Sequence, residues 1–166
     1  MKGKVMAAVW TVLRVWLGVQ WIQAGWHKVM DGFDASGFLY GAIEKSTGDM
    51  PAVSGWYASF LEHVALPNVN AINILVPWGE LLIGIALIIG VLTVPALAAG
   101  GFMNLNFLWA GTVSTNPTLL LAAVVLLFAA KGAMYYGGDR VFMPILAKKV
   151  KEWRRRHPRK PVPKSA

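Results

Sequence analysis

Four long apolar stretches run along the chain, and polar or turn-forming residues separate them. Each stretch approaches the roughly 20 residues that an α-helix needs to cross a bilayer. Proline and asparagine residues near the start of the later stretches are typical of helix N-termini. The pattern predicts membrane spans over residues 5–30, 71–92, 95–113 and 118–136. We therefore expect an all-α membrane protein, a four-transmembrane-helix bundle that occupies residues 1–147.

The charged residues are unevenly distributed and predict how the chain is oriented. Lys and Arg total 16 against 8 Asp and Glu, and nine of the 16 basic residues lie between Lys148 and Lys164. Basic segments tend to stay in the cytoplasm, and four spans return the chain to its starting side. We thus expect a multi-pass protein of the cell membrane with both termini cytoplasmic. Residues 148–166 are predicted to be a flexible basic cytoplasmic tail that is attracted to anionic lipids and does not bind nucleic acid.

The predicted outer loop, residues 31–70, is too long and too apolar to be a simple connection. Its acidic side chains outnumber its one basic residue, Lys45, as expected for the external face. Asp34 is expected to cap a short helix. A second, amphipathic helix on the outer membrane surface is predicted from apolar residues at helical spacing, namely Trp56, Tyr57, Phe60, Leu61 and Val64.

Several polar side chains lie inside the predicted spans, where an unpaired charge costs several kcal/mol. At about 1.5 Å per residue, Arg14 and Glu80 fall near the midplane, and Asn104 and Lys131 lie at comparable depths. Small residues on the same helix faces indicate close packing, so these groups are expected to point inward. Arg14 and Glu80 are therefore candidate catalytic residues, with Glu80 as a proton acceptor. The alternative is a structural network that fixes the register of the helices.

The sequence limits the chemistry that this chain can perform alone. It contains no cysteine, which excludes disulfides, thiolate-bound metal centres and thiol nucleophiles within the chain. It also contains no glycine-rich phosphate loop and no dinucleotide fingerprint. We therefore expect no metal site and assign no cofactor-binding residues.

Four motifs stand in a fixed order along residues 10–145. They are Arg14-x-x-Leu17-Gly18-x-x-Trp21-x-x-Ala24-Gly25-x-x-Lys28, Val76-Pro77-Trp78-Gly79-Glu80-x-x-x-Gly84, Asn106-Phe107-x-x-Ala110-Gly111-Thr112-x-Ser114-Thr115-Asn116-Pro117, and Gly138-Asp139-Arg140. In this order and spacing the chain resembles the DoxX family. The resemblance implies a four-helix membrane protein related to the membrane subunit of thiosulfate:quinone oxidoreductase. In that activity thiosulfate is coupled to tetrathionate outside the membrane and electrons pass to quinone.

The resemblance thus implies a membrane oxidoreductase subunit that passes electrons from a small sulfur anion, thiosulfate, to quinone as acceptor. Candidate substrate-binding residues are Lys28, Asn106 and Asn116, which match the family motifs, together with Asn104 and Lys131, which follow only from their depth in the predicted spans. Lys28 is the best placed cation for a dianion at the outer face. Because no cofactor motif is visible, a second oxidoreductase subunit or a soluble redox protein is an expected partner. The alternative is a noncatalytic membrane scaffold that recruits soluble redox partners. The lipid bilayer is the other expected partner, and self-association into a homo-oligomer is left open.

The orientation can be tested with reporter fusions. A reporter fused after Ala166 should behave as cytoplasmic, whereas one inserted near Thr47 should behave as external, because four spans place the ends together. Reporters at the two chain ends that lie on opposite sides of the membrane would show that the number of spans is odd.

Overall fold

The computed structural model describes residues 2–156, and these residues form helices and connecting turns without any strand. A π-helical turn, Leu61–Ala65, and a 3₁₀ turn, Leu66–Asn68, join the third and fourth helices without a break. The α-helices of this part of the chain are α1 (Lys2–Asp31), α2 (Ser36–Glu44), α3 (Gly55–Phe60), α4 (Val69–Ile89), α5 (Thr93–Trp109), α6 (Asn116–Phe128), α7 (Ala130–Ala133) and α8 (Asp139–Arg156).

The apolar stretches of the sequence correspond to α1, α4, α5 and the α6–α7 segment. Gly3–Asp31 and the continuous helical segment Gly55–Ile89 are long and apolar enough to cross a membrane. Asn116–Phe128 is a shorter apolar helix, and α5 has 17 residues. Large apolar side chains remain exposed on these helices, among them Leu82 at 64% and Phe102 at 63%, which suits a surface that contacts lipid. The predicted all-helical membrane class is confirmed, while the four-span count stays a prediction.

The pairing of α1 with α4 is the most extensive helix contact, and it depends on glycine. A Cβ atom built on Gly84 would lie 2.7 Å from the carbonyl oxygen of Gly18, and one on Gly25 would lie 2.8 Å from the carbonyl oxygen of Pro77. Only residues without a side chain let two helix backbones approach this closely. The glycines therefore fix the register of α1 against α4. Around this contact, the main core contains Leu17, Trp21, Leu87, Leu97 and Leu126.

The chain direction gives the bundle two distinct ends. The terminal end contains the start of α1, the α4–α5 turn and the start of α8, whereas the cavity end contains the end of α1 together with α2 and α3. A second small core at the cavity end packs α2 on α3 through Leu39, Tyr57 and Leu61. The predicted helix over residues 56–64 is thus present as α3 and the π-helical turn. Asp34 is not the N-cap residue of α2, which is Ala35; instead its Oδ1 accepts hydrogen bonds from Ser36 N at 3.0 Å and Ser36 Oγ at 2.7 Å in the turn before the helix. These bonds hold the pKa of the exposed Asp34 carboxyl below its usual value.

The last described helix includes the start of the predicted tail. Residues 148–156 continue α8, which begins at Asp139, so this part of the tail is helical. Phe142, Leu146 and Val150, which recur every four residues, are the sequence signal for this helix. The rest of the predicted tail, residues 157–166, lies outside the described residues.

Replacing Gly25 tests the α1–α4 contact. Gly25→Ala should lower the stability of the protein by about 1–3 kcal/mol, because the added methyl group would press on the backbone of Pro77 and Leu81. Gly41→Ala in α2 is the matched control, since a Cβ there meets nothing within 4 Å and should stabilise the helix slightly. Thermal unfolding in detergent, followed by circular dichroism, measures both effects. Equal melting temperatures for the two variants would contradict the close approach.

Candidate functional site

The buried carboxylate of Glu80 forms an ion pair with Lys28. The Nζ atom of Lys28 donates hydrogen bonds to Glu80 Oε1 at 2.5 Å and to Oε2 at 2.6 Å. The Glu80 side chain is 1% exposed, whereas that of Lys28 is 27% exposed. The contact of Gly25 with the backbone at Pro77 and Leu81 places Lys28 and Glu80 at the same position along the bundle axis. The pair is electrically neutral as a whole, which reduces the cost of burying it.

Arg14 belongs to a different cluster at the terminal end. Its Nη2 donates to the carbonyl oxygen of Tyr136 at 2.9 Å, and its Nη1 lies 3.5 Å from Thr93 Oγ1. Gly90 and Gly137 leave the space that the guanidinium group occupies. Asp139 provides the compensating negative charge. The turns that link the helices thus provide partners for the two terminal nitrogens of the buried arginine, whereas its Nε has no hydrogen-bond partner among the described residues.

The carboxylate of Asp139 also holds the start of α5. Its Oδ1 accepts a hydrogen bond from Leu92 N at 2.7 Å, and its Oδ2 accepts one from Thr93 N at 2.9 Å. These donors are amide groups that a helix N-terminus cannot satisfy within the helix. Leu92 has a positive φ of 54°, a strained conformation that the hydrogen bonds help to maintain.

From their predicted depths near the midplane, Arg14 and Glu80 were expected to lie close together. This expectation is wrong. Arg14 precedes Lys28 by 14 residues of one continuous helix, or about 21 Å along the axis. Since Lys28 holds Glu80, Arg14 lies far along the bundle from the carboxylate. A depth counted from the predicted end of a span does not include the offset between two helices along their axes. The glycine contacts set that offset.

A cavity of about 600 Å³ lies beside the Lys28–Glu80 pair at the cavity end. The cavity is lined by residues of α3, α4 and α5 and of the segment that precedes and includes α2. Almost all of these residues are apolar. Phe33 and Phe107 line the cavity and also lie next to the ion pair. Lys28 Nζ is 5.6 Å from the centre of the Phe33 ring and 5.7 Å from that of the Phe107 ring. The lining residues Leu75 and Phe102 are 68% and 63% exposed. Neither Lys28 nor Glu80 lines the cavity itself, so the ion pair adjoins it through the rings of Phe33 and Phe107, while another side of the cavity reaches the lipid-facing surface.

Two polar side chains form part of the cavity wall. Tyr57 Oη lies 3.0 Å from Asn106 Oδ1 and donates its hydrogen bond to this residue. Asn106 Nδ2 donates in turn to the carbonyl oxygen of Phe102 at 2.8 Å. Asn106 was a candidate substrate-binding residue in the sequence, whereas Tyr57 was predicted only to lie on a surface helix. The contact joins residues 49 positions apart, so no local pattern could have revealed it.

The remaining candidate residues do not join this site. Lys131 is exposed on α7 at the terminal end, and Asn116 donates to the carbonyl oxygen of Thr112 at 3.0 Å within its own turn. Asn104 is fully buried, and neither polar atom of its amide has a hydrogen-bond partner among the described residues. Of the candidate residues, Asn106 thus lines the cavity, the Lys28–Glu80 pair adjoins two of its wall residues, and Arg14 lies in a separate cluster.

The geometry can accommodate an amphiphilic ligand that carries a carbonyl group. The cavity volume falls within the range of small-molecule sites, and its apolar walls suit a ring and a hydrocarbon tail. The Lys28 ammonium group, which has three N–H donors and uses two of them on Glu80, is a hydrogen-bond donor near its wall, and Glu80 can exchange a proton. The residues present therefore fit a quinone.

Comparison with known proteins gives the family. The DoxX family model matches residues 9–115. The chain belongs to the DoxX family. No curated protein and no solved structure matched the chain.

The match to the DoxX model contains most of the candidate site. It extends from α1 to the end of α5 and therefore includes the Lys28–Glu80 pair, Asn106 and the cavity. Asp139 and Asn116 lie beyond it. Family membership and the apolar helices make this DoxX protein an integral membrane protein that contacts the lipid bilayer.

A double-mutant cycle tests the ion pair of this DoxX protein. Lys28→Met should destabilise the protein by about 3–5 kcal/mol, because it leaves a buried carboxylate unpaired. Glu80→Gln should cost less, since Lys28 is partly exposed and its long side chain can reach water. The double variant should be more stable than the sum of the two changes predicts.

The control cycle combines Glu80→Gln with Arg14→Met. These changes should be additive, because the two side chains lie in separate clusters. Thermal unfolding in detergent measures both cycles. Coupling of Glu80 to Arg14, with none to Lys28, would contradict the pairing.

Proposed function

We propose that this chain is the quinone-binding membrane subunit of an oxidoreductase that transfers electrons from thiosulfate to quinone. The observation that carries the proposal is the apolar cavity that reaches the lipid-facing surface and whose wall residues Phe33 and Phe107 also contact the Lys28–Glu80 pair. A quinone dissolved in the bilayer could reach such a cavity without crossing water. The thiosulfate half of the proposal rests on the resemblance of the motifs to the DoxX family.

The overall reaction assigns a proton-handling role to the site. Two thiosulfate ions lose one electron each and join through a new sulfur–sulfur bond as tetrathionate. Quinone accepts the two electrons and two protons. In the proposal, Lys28 donates a hydrogen bond to a quinone carbonyl oxygen, and Glu80 exchanges the proton that this oxygen needs. Phe33 and Phe107 line the cavity and lie next to the Lys28 ammonium group, so they adjoin both the ion pair and the bound quinone.

The ion pair also bears on where thiosulfate binds. The charge of Lys28 is balanced by Glu80, so Lys28 offers a dianion less attraction than a free cation would. The chain contains no cysteine to form a covalent sulfur adduct. We therefore place thiosulfate oxidation on a second subunit or a soluble redox partner.

We also propose that four spans place both chain ends in the cytoplasm. In support, α1, α4, α5 and α6 alternate in direction, and the starts of α1 and α8 lie at the same end of the bundle. The cavity would then open toward the outer half of the bilayer.

Filling the cavity tests quinone binding. Ala71→Trp should weaken the binding of a short-tail quinone at least about tenfold, because the indole ring would occupy part of the cavity. Ala98→Trp is the matched control, since Ala98 is exposed on α5 and does not line the cavity. Isothermal titration in nanodiscs measures both affinities. Equal loss, or no loss, in the two variants would remove the quinone from this cavity.

A second measurement separates quinone binding from the electron donor. Membranes that contain the native partners should reduce quinone when thiosulfate is added, and Glu80→Gln should slow this reaction. Quinone binding without any thiosulfate-dependent reduction would overturn the thiosulfate assignment. Stoichiometric partner proteins on a chain that binds no quinone would instead support the alternative of a noncatalytic scaffold.

A further inference from the structure

The helix α8 carries cationic and apolar side chains on opposite faces. At 100° per residue, Phe142, Leu146 and Val150 form one stripe along the helix. Three basic residues, Lys148, Lys151 and Arg155, lie on the other side. All six side chains are exposed. The helix is thus strongly amphipathic and strongly basic.

The start of α8 is fixed to the terminal end of the bundle. Asp139 N donates to the carbonyl oxygen of Gly90 at 2.7 Å, and Gly138 N donates to that of Ile89 at 3.2 Å. These hydrogen bonds add to the contacts of the Asp139 carboxylate with the first turn of α5. The helix therefore begins where the apolar helices α4 and α5 meet, at the level of a membrane surface.

The apolar stripe of α8 remains more than one-third exposed. Among the described residues, the main helix–helix contacts join the other helices and do not include α8. Phe142, Leu146 and Val150 are 37%, 39% and 40% exposed. An apolar face of this kind needs a partner, and the nearest apolar phase is the bilayer that holds α4 and α5.

We propose that α8 is a membrane-surface helix that binds anionic phospholipids. Phe142, Leu146 and Val150 enter the boundary between headgroups and acyl chains, while Lys148, Lys151 and Arg155 contact the headgroup phosphates. Lys149 lies beside the apolar stripe, and its long side chain reaches the same headgroups. This inference is independent of quinone binding, because it uses no residue of the cavity.

The charge of α8 favours lipid over a protein partner. Along residues 140–156 the one acidic residue, Glu152, stands among seven Lys and Arg residues. An extended surface of anionic headgroups can neutralise cations at all of these positions at once, whatever their angular position on the helix. The tether at Asp139 holds α8 at the membrane, so docking requires no diffusion from solution.

Site-specific fluorescence can test the proposal without interference from native thiols, because the chain contains no cysteine. The Leu146→Cys variant carries an environment-sensitive fluorophore and is reconstituted in nanodiscs. One set contains phosphatidylcholine alone, and the other contains phosphatidylcholine mixed with phosphatidylglycerol. The emission should shift to the blue in the anionic discs, and lipids that carry a quencher in the acyl region should quench it. A label at Ala147→Cys, which lies off the apolar stripe, should respond much less.

A charge variant identifies the role of the headgroups. Replacing Lys148, Lys151 and Arg155 with Gln should lower the ratio of docked to free helix about a hundredfold, at roughly fivefold per charge near an anionic surface. High salt should have a similar effect on the original helix. The same emission from Leu146→Cys in both lipid mixtures would overturn the proposal. Blue-shifted emission that the acyl-chain quenchers do not reduce would assign the apolar stripe to a protein contact and would also overturn it.

Discussion

The close approach of α1 and α4 is the constraint on which the site depends. Gly18, Gly25 and Gly84 remove the side chains that would hold the two helices apart. The contact sets how far one helix slides along the other, and this offset decides that Glu80 meets Lys28. It also fixes the position of the cavity wall on α4 next to the ion pair. A backbone contact thus determines the electrostatics of the site.

Each end of the bundle places opposite charges near one another. Glu80 forms a direct ion pair with Lys28 near the cavity, whereas Arg14 donates hydrogen bonds near the turns and Asp139 supplies negative charge there. In an apolar medium an unpaired charge costs several kcal/mol, so a nearby opposite charge stabilises each cluster. The two clusters differ in their surroundings. Among the described residues, the Lys28–Glu80 pair contacts Phe33 and Phe107 of the cavity wall, whereas Arg14, Thr93, Tyr136 and Asp139 do not line that cavity, and this difference separates a candidate functional site from a structural cluster.

The terminal cluster connects distant parts of the chain. Asp139 holds the first turn of α5, supplies negative charge near Arg14 and begins α8. Its backbone also binds the last turn of α4 at Gly90. Because one residue joins these elements, the direction in which the basic helix leaves the bundle depends on the packing of the apolar helices.

The sequence by itself determined the class of the protein and most of its helices. Runs of apolar residues are local, so α1, α4, α5 and α6 could be located without knowing what they contact, and the motifs indicated the DoxX family. The four-residue spacing of apolar side chains also predicts α8, although the charge of this segment is its more obvious feature.

Only the tertiary structure decided which polar groups meet. Arg14 and Glu80 seemed equally deep when each was measured from its own span, yet depth along separate helices says nothing about their relative offset. The cavity was likewise inaccessible to sequence analysis, because it requires Tyr57 of α3 beside Asn106 of α5. The physical reason is that helix formation depends on neighbours in sequence, whereas charge pairing and cavities depend on how completed helices pack.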